Sequence, residues 1–130
     1  MIVVDASAMV EALLPMPAAR AVGKWLFDRE QTLHAPYLLD IEVAQVIRRF
    51  AASGEIDDQR GLAALTDLAE FPIRRHSDDL LLPRIWELRH NLTGYDAAYV
   101  ALAEALDAPL LTRDKRLATA AGHRARVEVV

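Results

Sequence analysis

Ile2-Val3-Val4-Asp5, followed by Ala6-Ser7, is an apolar, β-branched run without polar alternation, closed by a carboxylate. Runs of that kind belong to strands covered on both faces, as in a parallel sheet. The residues from Ala6 to Leu14 favour helix until Pro15 and Pro17 interrupt them. The same alternation recurs outward along the chain. A helix is expected from Ala18 to Asp28 around Val22, Trp25 and Leu26, then a strand at Thr32-Leu33-His34-Ala35. Pro36 can open the next helix, whose Leu39, Val43, Val46, Ile47 and Phe50 recur at spacings of three and four until Ser53-Gly54 stops it. A helix from Asp57 to Leu68 follows. Phe71-Pro72-Ile73-Arg74 reads as an edge strand, because Pro72 lacks a ladder donor. Helices carrying Leu80, Leu81, Ile85, Trp86 and Leu88, and then spanning Gly94 to Leu106, precede a strand at Pro109-Leu110-Leu111-Thr112. A short helix from Asp114 to Ala121 and a strand at Arg126-Val127-Glu128-Val129-Val130 complete the pattern. Strands separated by helices imply right-handed crossovers, and hence an α/β fold whose parallel sheet has helices on both faces.

At 130 residues the chain is expected to form one domain over residues 1–130, with a core that needs no staples. Cysteine is absent, which excludes a disulfide scaffold, a thiolate zinc site and a thiol nucleophile. Any metal must then be held by oxygen or imidazole. Asp5, Glu11, Glu104 and Asp107 interrupt the most apolar stretches, and the first run is too short for a signal-peptide core. A soluble cytoplasmic protein without a membrane span is expected. With 19 acidic and 15 basic residues the formal charge is −4, unlike a simple basic nucleic-acid clamp.

In parallel α/β sheets ligands bind outside the carboxyl ends of the strands. Asp5 closes the first strand, and Asp114 lies two residues beyond the strand ending at Thr112, so both are expected at one rim. Asp96 stands three residues after Thr93, the spacing of a capping box at a helix start. Glu42 lies in an apolar helix between Ile41 and Val43, where an uncompensated carboxylate carries a desolvation cost. Each acid alone has an ordinary structural role. Gathered in one pocket, four carboxylates would raise one another's pKa values unless a divalent cation neutralised them. An all-oxygen site suits Mg²⁺ or Mn²⁺, and its natural chemistry is phosphodiester hydrolysis.

The remaining candidates have simpler readings. Asp28, Asp57, Asp58, Asp67, Asp78, Asp79 and Asp107 read as caps or solvated charges. His34, His76, His90 and His123 have no metal-binding spacing, and neither GxGxxG nor a P-loop is present. Ser7 lacks a nucleophile elbow, and Trp25 and Trp86 fall in apolar stripes expected in the core.

Four segments in order resemble the PIN-domain nucleases, and more closely the VapC-type toxins of toxin–antitoxin pairs. They are Ile2-Val3-Val4-Asp5-Ala6-Ser7, Ala35-Pro36-Tyr37-Leu38-Leu39-Asp40-Ile41-Glu42-Val43, Leu92-Thr93-Gly94-Tyr95-Asp96-Ala97-Ala98-Tyr99-Val100-Ala101-Leu102-Ala103, and Leu110-Leu111-Thr112-Arg113-Asp114. The resemblance implies a Rossmann-like parallel sheet and metal-dependent cleavage of single-stranded or looped RNA, such as transfer or ribosomal RNA. It also implies that Asp5, Glu42, Asp96 and Asp114 form the acidic quartet, with Ser7 and Thr112 supporting it. Lys115, Arg116 and Leu117 stand where some relatives carry a further acid. A homodimer silenced by a VapB-type antitoxin is the implied assembly. The alternatives are a catalytically silent interaction module and a phosphoacceptor receiver domain. The second expects an acidic pair after the first strand, where this chain has Asp5-Ala6.

Because such a pocket is acidic, RNA phosphate must be drawn by basic residues at its rim. Arg113, Lys115 and Arg116 flank Asp114, while Arg48 and Arg49 lie two turns beyond Glu42. Leu80, Leu81, Ile85 and Trp86, with Tyr99 and Leu102, are expected dimer contacts. The segments Val22 to Phe27 and Val43 to Phe50 are expected to frame an antitoxin groove beside Glu42.

Overall fold

A computed structural model describes residues 1–130. The first strand, β1 (Ile2–Val4), leads into α1 (Ala6–Leu13) and α2 (Ala19–Leu26). Next come β2 (Leu33–Pro36), α3 (Leu38–Ala52), α4 (Asp58–Glu70) and β3 (Ile73–His76). A single 3-10 turn (Asp79–Leu81) then opens into α5 (Leu82–Glu87). The chain continues through α6 (Gly94–Leu106), β4 (Leu110–Thr112), α7 (Lys115–Thr119) and β5 (Val127–Val129). The five strands form one sheet in the order β3-β2-β1-β4-β5, and every pairing is parallel.

That order places the site. The chain winds outward from β1 through β2 to β3, then returns to the other side of β1 for β4 and β5. Right-handed crossovers put the helices of the two halves on opposite faces, and the winding reverses between β1 and β4. A crevice therefore opens at the carboxyl ends of those two strands, which are registered Val3↔Leu110 and Val4↔Leu111.

Burial explains the central strands. Ile2, Val3, Val4, Leu110 and Leu111 are all fully buried, as unalternated runs beneath two helical layers must be. One layer is centred on α6, which packs against β1, β2 and β4 and is buried continuously from Ala97 to Ala103. Its alanines let the helix approach the sheet closely. The other layer joins α1 to α2, α3 and α4.

Several expectations change in the folded chain. Pro36 ends β2 rather than opening a helix: β1 pairs with β2 only as far as Val3↔His34, so no neighbour on that side requires the missing N–H. The edge strand starts at Ile73, after Pro72, and runs to His76. Trp86 is 67 % exposed and stacks beneath the Arg89 guanidinium, because α5 is short and presents that side outward. Tyr99 and Leu102 face the interior and are unavailable for a dimer contact, whereas Leu80 and Leu82 join Trp86 as exposed apolar side chains. No helix is long and apolar enough to cross a membrane.

Candidate active site

Asp5 follows β1 directly at the winding reversal and caps α1, accepting the Ala8 N–H at 3.0 Å. Two hydroxyls complete its shell. Ser7 Oγ donates to Oδ1 at 2.6 Å and Thr112 Oγ1 donates to Oδ2 at 2.5 Å. Each hydroxyl also accepts a backbone N–H from the turn after β4, Ser7 from Arg113 and Thr112 from Asp114, both at 2.9 Å. The carboxylate thus ties the start of α1 to the end of β4. Burial raises its pKa, the three donors partly offset that, and the charge of Asp96 raises it further.

Asp96 occupies the first turn of α6, where Thr93 Oγ1 accepts its N–H at 3.1 Å, the geometry that the Thr93 spacing suggests. Its pKa is raised by burial and by the charge of Asp114. Glu42 comes from α3, between exposed Ile41 and fully buried Val43. Burial raises its pKa, the nearby Tyr99 hydroxyl partly offsets that, Asp5 and Asp96 add repulsion, and its buried Oε1 has no hydrogen bond of ordinary geometry. Asp114 caps α7 and is the exception. The Arg116 guanidinium grips it at 2.6 Å and holds its carboxyl below the usual range.

Asp5, Glu42, Asp96 and Asp114 line one open cavity of about 690 Å³, together with Ser7. Arg49 and Arg116 also line it, whereas Arg48 and Lys115 are exposed outside it. Arg113 points elsewhere: its guanidinium pairs with buried Glu11 at 3.2 Å and bonds the Val130 carbonyl. The groove beside Glu42 is framed by α3 and the starts of α6 and α7, while α2 rests on α1 and borders a separate hollow at Leu26 and Phe27. Tyr95 and Tyr99 enter the cavity lining as well. The signal for Tyr99 was its spacing, since a residue three after Asp96 shares its helix face.

The donor set fits a hard divalent cation: it is all carboxylate and hydroxyl, three acids are held above their ordinary range, and one oxygen is orphaned. No three of these side chains close into a ready-made cage. Uncompensated like charges are expected to hold apart. Raised carboxyl pKa values mean that the native state retains protons which the unfolded chain releases. Their stabilising contribution is complete below about pH 4 and disappears as pH rises through the raised native values. In chelator, Asp96→Asn should therefore melt above the parent protein at pH 7, with the gap closing toward pH 4. Calorimetry that found a pH-independent gap would remove the buried, crowded charge as its cause.

A doubly wound parallel sheet with an acidic cleft at its winding reversal defines the class. The sequence matches the PIN domain over residues 2–123, and the chain belongs to that family. It is 44 % identical to the Mycobacterium tuberculosis protein Ribonuclease VapC12 over 130 residues, which cover 100 % of this chain and 99 % of that one. Solved structures of other proteins share the fold. M. tuberculosis VapC20, described as a sarcin–ricin loop cleaving toxin, superposes with a TM-score of 0.72 at 15 % identity, over 95 % of this chain and 97 % of that one. VapBC2 from Rickettsia felis, bound to a DNA fragment from its promoter, gives 0.72 at 16 % identity over 100 % and 99 %.

Proposed function

We propose that this chain, acting as one domain over residues 1–130, is a Mg²⁺- or Mn²⁺-dependent endoribonuclease and the cytoplasmic toxin of a toxin–antitoxin pair. The observation that carries this reading is the meeting of Asp5, Glu42, Asp96 and Asp114 in one cavity at the carboxyl ends of β1 and β4. The name of the 44 % identical relative, a ribonuclease, supports the reaction type. Asp5, Asp96 and Asp114 would hold the cation with Glu42, while Ser7 and Thr112 keep Asp5 in place. When bound, the cation supplies Lewis acidity that activates water and offsets charge on the phosphate oxygens. Arg49 and Arg116 then face the RNA backbone, Arg116 exchanging Asp114 for a phosphate oxygen.

A VapB-type antitoxin is the proposed inhibitor, presenting a positive side chain to the four acids and excluding RNA. The shared fold of VapBC2 from Rickettsia felis supports that partner. The proposed homodimer would use exposed Leu80, Leu82 and Trp86. Sequencing RNA ends after brief expression, against an Asp5→Asn control, tests the activity. No metal-dependent cleavage of any RNA would leave a silent interaction module. For RNA contact, Arg49→Ala and Arg116→Ala should each lower affinity and reduce the log–log salt slope by about 0.7, the value for one single-strand phosphate. Titrations of binding at several salt concentrations check this, and unchanged slopes would place both guanidiniums outside the RNA path.

A further inference from the structure

Tyr99 sits on α6 one turn beyond Asp96, and only 2 % of it is exposed. Its hydroxyl oxygen is buried without a hydrogen-bond partner, and so is Glu42 Oε1. Both residues line the acidic cavity, and the phenol lies beside the Glu42 carboxylate with Asp5 and the backbone of Ala6 close by. A buried polar group left unpaired costs about 1–3 kcal/mol, and phenylalanine would fill the same space without that cost. The ring therefore has a packing role, but the hydroxyl has none. Glu42 is also the least restrained of the four acids. Asp5 is held by three donors, Asp114 by Arg116, and Asp96 by a short side chain on a capped helix turn.

We propose that Tyr99 is a positioning residue of the site: its hydroxyl donates to one Glu42 oxygen in the loaded state and turns the other toward the cavity. Hydrogen bonds of this kind are often long in unliganded sites and tighten on loading. A phenol keeps its proton at neutral pH, so the group is available as a donor. The inference rests on the cavity being a metal-dependent nuclease site, which the experiment treats separately.

Tyr99→Phe keeps the ring and removes only the hydroxyl. In chelator its melting temperature should equal or exceed that of the parent. Mn²⁺ affinity, measured by calorimetry without RNA, should fall about tenfold, the lower end of what a supporting partner contributes. On an RNA that the parent cleaves, kcat should fall while KM stays unchanged. In a Glu42→Gln background the same change should cost no further Mn²⁺ affinity, since the two residues act as a unit. Undiminished Mn²⁺ affinity and kcat in Tyr99→Phe, or additive losses in the double variant, would overturn the positioning role. If Asp5→Asn also binds Mn²⁺ and cleaves RNA normally, the metal-dependent reading fails and the positioning role fails with it. If Asp5→Asn loses both while Tyr99→Phe keeps both, only the positioning role fails.

Discussion

Asp5→Asn is expected to reduce RNA cleavage by more than about a hundredfold, since even a group that only supports a metal ligand can contribute ten- to a hundredfold. The chain should stay folded. Asparagine caps helices about as well as aspartate, so the Ala8 N–H keeps its acceptor. The cost lies at Oδ2, where an amide N–H₂ would meet the donating Thr112 hydroxyl, and relief from burying a charge acts in the opposite direction. Asp96→Asn should lose cleavage to a similar extent without that local cost, because its carboxylate does not join two elements. Asp107→Asn is the matched control. That carboxylate is 94 % exposed at the far end of α6, and its backbone, at φ 47°, suits asparagine. Cleavage assays with equal amounts of folded protein decide the matter: parent-like rates in Asp5→Asn and Asp96→Asn would end the catalytic assignment.

Thr112→Val is expected to lower stability by about 2 kcal/mol, the scale of a charge-assisted hydrogen bond lost at a buried site. The fully buried hydroxyl both donates to Asp5 and accepts the Asp114 N–H, so valine leaves a carboxylate short of a donor and an amide without an acceptor. The shape of the side chain is retained, which excludes a cavity as the cause. Cleavage should fall too, because Asp5 and Asp114 lose the group that holds them in register. Thr112→Ser retains the hydroxyl and gives up one methyl, a loss of about 0.8 kcal/mol. Urea unfolding of the three proteins separates these cases, and a larger loss for serine than for valine would show that the methyl, not the hydroxyl, matters.

The element order, the parallel class and the acids at strand ends were legible because each is written in local pattern. Ile2-Val3-Val4 needs two covering layers wherever it lies, and a carboxylate after such a strand emerges at the carboxyl rim. The Thr93 cap is legible for the same reason, since its partner is three residues away. Several helix and strand ends moved by one or two residues, and the elements whose reading changed were those at prolines. Whether Pro36 ends a strand or begins a helix depends on how far β1 extends beside it, which nothing near Pro36 encodes.

The amino-acid sequence by itself determined the α/β winding and the rim where Asp5 and Asp114 emerge, because apolar periodicity and the handedness of crossovers leave little choice. Tertiary structure alone decided which residues share the cavity and in what company. Arg49 and Arg113 look alike along the chain, yet one faces the acids and the other is held by Glu11 and Val130. Tyr99 reads as one more apolar residue on α6 until α3 brings Glu42 against its hydroxyl. These choices depend on contacts between elements distant in sequence, whose packing fixes where each side chain points, and local pattern does not contain them.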